Sequence, residues 1–321
     1  MKTAIIGTWH VHTHGYTRDL QQNPKCEPVI VWDNDCTRGK AFADEMELPF
    51  TDDLDSILND ETIDSVMVCS ATCDHPEILL KVAAAGKHIF TEKVLTIGVE
   101  DAEKVAAAVK EAGKTFTISF PHRTFPTLRA VKALIEAGKL GRVTYARVRN
   151  VHNGASADWL PPHFYDKAQC GGGAMMDLGA HPMYLLNWLL GTPKTITSTF
   201  TNITGHGVED NAVSLIEFEN GAIGVSETGF VSECNPYTVE VSGTDGSVMV
   251  HGDTAHWGGK LTEGKWVELE LPEKIGEPID QWVDAVCDGG STPYTIEDAV
   301  MLTRLMDGAY KSYESGVKFV F

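Results

Sequence analysis

Asp177 and His181 stand four residues apart near the middle of the chain, a carboxylate and an imidazole inside an otherwise apolar run. The run opens with Gly171-Gly172-Gly173 and closes with Leu189-Leu190-Gly191, with Pro193 just beyond. Leu178, Leu185, Leu186 and Leu189 recur at helical spacing, and the closing glycine and proline are stop signals, so the stretch is predicted to be one buried helix. On such a helix, positions i and i+4 share a face, which sets the two groups side by side near the glycine-rich start. A histidine there can take a proton from a hydroxyl near neutral pH, and an aspartate beside it can orient the ring. A purely structural Asp–His pair would use the same two residues.

A second group of candidates opens the chain. Gly7-Thr8-Trp9-His10-Val11-His12 follows the apolar run Ala4-Ile5-Ile6. A dinucleotide-binding loop would place G-x-G-x-x-G there, so that backbone N–H groups approach a pyrophosphate. The first glycine is present, while Trp9 and His12 occupy the later glycine positions. Gly7, Thr8, Trp9 and His10 are therefore candidate cofactor contacts, and the loop either widens or lets Trp9 flank the ligand. Asp33 and Asn34 close the second apolar run, where a carboxylate can accept from the adenosine ribose hydroxyls. An acid at that place favours NAD over NADP, whose 2′-phosphate would meet like charge. Arg38 is the competing candidate, a guanidinium able to bind that phosphate. His10-Val11-His12 also has the His-x-His form that opens barrel-type metal hydrolases. The chain lacks the eight-fold strand repeat such enzymes need, so no metal is expected.

These residues need elements to position them. Apolar strand patterns at Ala4–Ile6, Pro28–Trp32, Ile63–Cys69, His88–Phe90 and Thr115–Ser119 alternate with helix patterns at Gly15–Gln22, Cys36–Met46, Asp74–Ala85 and Val99–Ala112. Alternation at this spacing predicts a Rossmann-type, doubly wound parallel sheet over residues 1–120, with ligands at the carboxyl ends of its strands. From residue 121 the pattern changes. One amphipathic helix at Phe125–Ala137 precedes period-2 strands at Val143–Val151, Thr195–Ile203, Ala212–Phe218, Ala222–Phe230 and Tyr237–Val241. Residues 121–321 are thus predicted to form an α+β domain on a large, mostly antiparallel open sheet, ending in a helix at Ile296–Tyr313 and a strand at Val317–Phe321.

Ser70-Ala71-Thr72-Cys73-Asp74-His75 and Ala85-Gly86-Lys87-His88-Ile89-Phe90-Thr91-Glu92-Lys93 resemble the A-T-x-x-x-H and A-G-K-H-V-x-x-E-K-P motifs of the Gfo/Idh/MocA oxidoreductases. The likeness continues through Arg123, Gly138-Lys139-Leu140-Gly141-Arg142-Val143, the Gly171–His181 stretch, Glu209-Asp210-Asn211-Ala212, Gly243-Thr244-Asp245-Gly246-Ser247 and Glu297-Asp298-Ala299. The resemblance implies an NAD(P)-dependent oxidoreductase acting on a sugar, inositol or related polyol, with Lys93, Asp177 and His181 as catalytic residues. It implies cofactor contacts from Ser70, Ala71, Thr72, His75, Glu92, Lys93 and His122. Physically, His181 would take the hydroxyl proton as hydride leaves carbon, while Lys93 holds the substrate oxygen. Two positions depart from the pattern: Val94 replaces the proline after the lysine, and Tyr184 stands where many members carry an aspartate. A ligand-binding sensor of the same fold, or hydrolysis or elimination assisted by bound NAD, are the alternatives.

The loop His152–Asp166, rich in aromatic and polar groups, is either a surface loop holding Trp159 as a hydrophobic plug or a substrate wall supplying stacking faces and donors. Its candidates are His152, Trp159, His163 and Tyr165, joined by Arg123 and Tyr184. Composition bounds the partners. With 26 Lys and Arg against 45 Asp and Glu, the net charge of −19 repels nucleic acid and anionic lipid. No apolar window approaches a membrane span. Seven cysteines, an odd number without C-x-x-C spacing, indicate reduced thiols and a cytoplasmic protein. An open antiparallel sheet face needs a cover, which predicts a homodimer or homotetramer through the C-terminal sheet.

Overall fold

The computed structural model describes residues 1–234 and 237–321. In chain order the first elements are β1 (Lys2–Ile6), α1 (Thr13–Gln22), β2 (Glu27–Trp32), α2 (Cys36–Glu45), β3 (Phe50–Thr51), α3 (Leu54–Leu58), β4 (Ser65–Val68), α4 (His75–Ala84), β5 (His88–Thr91), α5 (Val99–Ala112) and β6 (Phe116–Ile118). There follow α6 (Pro126–Glu136), β7 (Val143–Val151), α7 (Lys167–Cys170), α8 (Ala180–Leu190), β8 (Pro193–Thr201), β9 (Asn211–Phe218), β10 (Ile223–Gly229), β11 (Thr238–Gly243), β12 (Gly246–His251), β13 (Thr254–Gly259) and β14 (Val267–Glu268). The last are α9 (Pro278–Asp288), α10 (Ile296–Ser315) and β15 (Phe319–Val320). They fall into two compact units, Met1–Phe120 with Gly276–Thr303, and Pro121–Ile275 with Arg304–Phe321.

The first unit is a six-stranded sheet in the order β3-β2-β1-β4-β5-β6, parallel at every pairing. Its central strands are buried on both faces, which is why Ala4-Ile5-Ile6 and Val66-Met67-Val68 read as unbroken apolar runs. The winding direction reverses between β1 and β4, so a ligand crevice opens outside the carboxyl ends of those strands. Asp35 caps α2 by accepting from the Thr37 and Arg38 amides, and α5 stops at Gly113, whose φ of 61° suits a residue without Cβ.

The return of residues 276–303 to this unit differs from the expected domain 121–321. In α9, Ile279, Trp282 and Val283 recur at helical spacing and join the core beside Ile5, Leu20, Met67 and Phe90. Trp282 is fully buried, its ring 5.7 Å from that of Phe90. The periodic pattern marks a helix, but nothing in it says which sheet the helix covers.

The second unit is a nine-stranded sheet in the order β14-β13-β12-β11-β7-β10-β9-β8-β15, antiparallel except where β10 runs parallel to β7. The apolar helix α8 packs on β7 and β10 and is buried on nearly every side. Strand β9 alternates exposed and buried residues, with Val213 and Leu215 on its open side. Cross-strand register puts Leu215, Val225, Arg147, Glu240 and Met249 in one row on that face.

Candidate active site

In the first unit, the loop after β1 is held from three sides. The Gly7 amide donates to Trp32 O at 2.7 Å, the Thr8 amide to Asp33 Oδ2 at 2.7 Å, and the His10 amide to Cys69 O at 3.1 Å. Gly7 has φ 81°, and a Cβ there would collide with Ser70, so this turn requires glycine. Thr8, Trp9 and His10 are all buried. Helix α1 then starts with no side chain capping its first turn, leaving N–H groups and the positive end of the helix dipole at the sheet crevice.

Asp33 lies where expected, but its carboxylate is already engaged. It accepts from Thr8 Oγ1 at 2.6 Å and from the Asp35 amide at 2.8 Å, and Arg38 reaches both of its oxygens, at 2.5 and 3.1 Å. Its side chain is wholly buried, whereas Arg38 is one-third exposed and Asn34 lies in the open beside it. Arg38 also donates to Asn34 Oδ1 at 3.0 Å. The acid expected at the ribose organises the loop, and the guanidinium is the more accessible of the pair.

At the ends of β4 and β5, Ser70, Ala71 and Thr72 are buried, and Ser70 Oγ has no hydrogen-bond partner among the described residues. An orphaned hydroxyl at the crevice, next to an uncapped helix start, fits a polar ligand such as a nucleotide diphosphate. His75 acts as a pin: Nδ1 lies 3.1 Å from both Val94 O and Leu95 O, and Nε2 lies 3.2 Å from Ser70 O. Burial, the main influence, holds its imidazole below the ordinary pKa, and the neutral ring, with one N–H, donates to the carbonyls on one side only while packing between the two segments. The Lys93–Val94 peptide is cis, and Lys93 is buried. Glu92 accepts from the Lys93 amide at 2.8 Å, from Tyr16 Oη at 2.5 Å and from His12 Nδ1 at 2.7 Å. Burial works to raise the Glu92 pKa, but the His10 and His12 imidazoles outweigh it and hold the carboxyl well below the usual range. The Tyr16, His12 and Glu92 network was not legible in sequence, since Tyr16 lies in α1, His12 just before it and Glu92 just after β5.

In the second unit, the stretch predicted as one helix divides. Residues 171–179 are turns, and α8 begins at Ala180, so Asp177 and His181 do not share a helical face. The cause is Glu209, whose Oε1 accepts from the Gly173 and Met175 amides at 2.8 and 3.0 Å and from Tyr310 Oη at 2.5 Å. Gly172 lies against the Tyr310 hydroxyl and Gly173 against the Glu209 carbonyl, with no room for a Cβ at either. Glu209 appeared in sequence only as part of a family motif; its work as the clamp of this turn depends on distant contacts.

Asp177 is half-buried and donates its amide to Gly173 O at 3.0 Å. His181 is buried, with Nδ1 2.9 Å from Tyr184 Oη, and its ring stacks on His122 at 4.1 Å. The same Tyr184 oxygen accepts from the His122 amide at 3.1 Å. His122, expected on the cofactor, thus belongs to the surroundings of His181. Phe125 stacks on it at 4.6 Å, and Tyr237 meets its edge at 5.1 Å. Tyr237 carries a buried hydroxyl without a partner among the described residues, and burial pushes its phenol far up. Tyr184 is itself buried, and the Arg123 guanidinium packs between the rings of Tyr184 and Trp188, at 5.8 and 5.7 Å.

The loop after β7 is ordered by aromatic packing. His152 stacks on Phe230 at 4.9 Å and accepts from the Gly154 amide at 3.0 Å. Trp159 is exposed and donates to Asn153 Oδ1 at 2.8 Å. The His163 carbonyl accepts from Cys170 Sγ at 3.1 Å. Tyr165 stacks on His206 at 4.0 Å, with its hydroxyl buried and without a partner among the described residues.

Comparison with known proteins places this geometry in a family. Residues 1–120 match the oxidoreductase family with an NAD-binding Rossmann fold, and residues 128–249 match the GFO/IDH/MocA C-terminal domain. The scyllo-inositol 2-dehydrogenase (NAD(+)) of Bacillus subtilis is 29% identical over 336 residues, covering 99% of this chain and 95% of that protein. The structure of GenD2 from gentamicin A biosynthesis in complex with NAD is 29% identical, with a TM-score of 0.85, covering 100% of this chain and 96% of that one. Levoglucosan dehydrogenase in complex with NADH shares the fold, with a TM-score of 0.87 at 21% identity, covering 100% of this chain and 98% of that one. The uncapped α1 start, the Glu209-clamped glycine turn and the two domain matches together mean that the chain belongs to the Gfo/Idh/MocA family of NAD-binding oxidoreductases.

Proposed function

We propose that the protein transfers a hydride between a nicotinamide cofactor and a hydroxyl or carbonyl carbon of a sugar, an inositol or a related polyol. One observation carries this reading: a buried histidine, His181, is held at Nδ1 by Tyr184 and stacked on His122, four residues after the half-buried Asp177 carboxylate. The substrate class follows the inositol and levoglucosan dehydrogenases among its relatives.

Bound NAD would supply the hydride acceptor at this site. The chain's residues handle the proton. His181 Nε2 takes it from the substrate hydroxyl, which requires the Nδ1 proton to be given to Tyr184 Oη. Lys93 donates to the substrate oxygen and favours its loss of a proton, and Asp177 binds an adjacent hydroxyl or orients the sugar. Ser70 and the first turn of α1 bind the diphosphate. Asp33 favours NAD over NADP by like charge, although Arg38 offsets part of that charge. The loop with Trp159, His163 and Tyr165 supplies stacking faces and donors to the ring of the substrate.

The test is absorbance at the nicotinamide band with NAD and a panel of sugars, inositols and polyols. Turnover on at least one is expected. Nucleotide and ligand binding without turnover across the panel would favour the sensor reading, for which the committed loop amides and buried Trp9 speak.

The protein is further proposed to be a cytoplasmic homodimer or homotetramer. All seven cysteines are free thiols, and Val213, Leu215, Ile223 and Met249 stand exposed on the open sheet face around the paired Arg147 and Glu227. Light scattering should report a multiple of 35.0 kDa at micromolar concentration. A single 35.0 kDa species would refute the assembly.

A further inference from the structure

The His-x-His sequence after β1 meets an acidic side chain from another strand. His10 and His12 converge on Glu92, and one ligand atom from each of the three lies within 4.8 Å of the others. In the sheet, β1 and β5 flank β4, so the carboxyl ends of two rigid strands bring the groups together. The His12 Nδ1 to Glu92 Oε1 distance is 2.7 Å, and His10 Nδ1 to the same oxygen is 3.8 Å. An ion bound at about 2.1 Å in tetrahedral geometry keeps its ligand atoms about 3.4 Å apart. The two observed distances straddle that spacing, and the third, between the two imidazoles, is within 4.8 Å, so closing the site takes a shift of up to about 1.4 Å shared between the two rings.

We propose that His10, His12 and Glu92 form a binding site for a divalent transition-metal ion. Two imidazoles and one carboxylate are the donor set of zinc, cobalt, nickel, manganese or ferrous iron. Calcium and magnesium prefer all-oxygen sites. Three protein ligands leave coordination positions open, as in sites that bind a further oxygen donor. The outer layer is already built: Tyr16 Oη donates to Glu92 Oε1 at 2.5 Å and bonds Ser119 Oγ at 2.6 Å, while the Lys93 amide holds Glu92 Oε2 at 2.8 Å. Such partners fix the orientation of a ligating carboxylate. His10 and Glu92 are buried, and His12, 42% exposed, gives the ion its way in. Binding displaces the 2.7 Å hydrogen bond between His12 Nδ1 and Glu92 Oε1 and the long 3.2 Å hydrogen bond from the His12 amide to His10 Nδ1.

The experiment uses the full chain, stripped with a chelator and titrated with Co²⁺ without cofactor or substrate, so its outcome is independent of turnover. The expected result is one Co²⁺ per chain with visible d–d absorption, displaced by Zn²⁺. His12→Ala and Glu92→Gln should weaken binding by at least about 10²-fold, the upper end of what losing even an outer-layer partner costs. His14→Ala, which removes an exposed histidine bonded to Glu45, should leave it unchanged. Circular dichroism and thermal melting establish that each variant is folded. If Glu92→Gln fails to fold, the partly exposed His12→Ala and the conservative His12→Gln decide the matter. Absence of saturable one-to-one binding overturns the proposal, as does binding that folded His12 variants leave intact.

Discussion

Replacing Tyr184 with phenylalanine removes one oxygen that two buried groups depend on. Tyr184 Oη accepts from the His122 amide at 3.1 Å and bonds His181 Nδ1 at 2.9 Å, within a site where the tyrosine is 1% exposed and His181 5%. Phenylalanine fills the same volume, so packing is kept and only the polar contacts are lost. Leaving a buried donor or acceptor unsatisfied costs about 1–3 kcal/mol. If that cost falls on the transition state, where His181 carries an added proton, the rate drops by about 5- to 150-fold. With Nε2 as the base, Nδ1 carries its proton in both forms, so Tyr184 Oη accepts from it throughout and more strongly once the ring is charged. The expected outcome for Tyr184→Phe is a fall in kcat of that size, a pH–rate profile displaced on its acid limb, and little change in NAD affinity. The assays are steady-state turnover on the best substrate from pH 5.5 to 9, with calorimetric NAD titration. A kcat within twofold of wild type with an unmoved pH profile would refute the reasoning. A loss of melting temperature without loss of specific activity would assign Tyr184 a structural role only.

His181→Ala should lower hydride transfer by about 10²- to 10⁴-fold, the usual cost of a lost general base, with NAD binding nearly unchanged; single-turnover absorbance measures the step, and turnover within threefold of wild type would end the assignment. Arg38→Ala should increase the preference for NADH over NADPH, because it removes a phosphate ligand and uncovers the charge of Asp33; calorimetry showing an unchanged ratio of affinities would count against both roles. His75 is kept neutral by burial, so the folded state binds its proton more weakly than the unfolded chain. Its contribution to stability is therefore present above the ordinary value of 6.5 and is lost as pH falls toward the depressed folded value. Urea midpoints between pH 7.5 and 5.5 should fall less steeply for His75→Asn than for wild type, and parallel slopes would contradict this.

Local sequence carries the signals for the elements and for the chemistry of some positions. The alternation of short apolar runs with helical patterns over 1–120 determines a parallel sheet, because a parallel connection needs a crossover helix. Period-2 alternation determines β9, whose open side shows Val213 and Leu215. Gly7 was legible because a positive φ against Ser70 admits no side chain. Tertiary structure decided the rest, through partners far away in the chain. The apolar pattern of 171–191 reads as a single helix, yet Glu209 takes the amides of Gly173 and Met175, and the helix starts only at Ala180. Asp33 stood at the ribose position by spacing, but Arg38 and Thr8 fill its oxygens. The pattern of α9 names its apolar face without naming the sheet that covers it, and the fold assigns it to the first unit. His10-Val11-His12 gave a pair of imidazoles, while the carboxylate they meet lies 80 residues further on from His12, after β5. Periodicity and turn chemistry act between neighbours in the chain, so they are written locally. Which side chain satisfies a buried charge or amide depends on groups that only the folded topology brings within 3 Å.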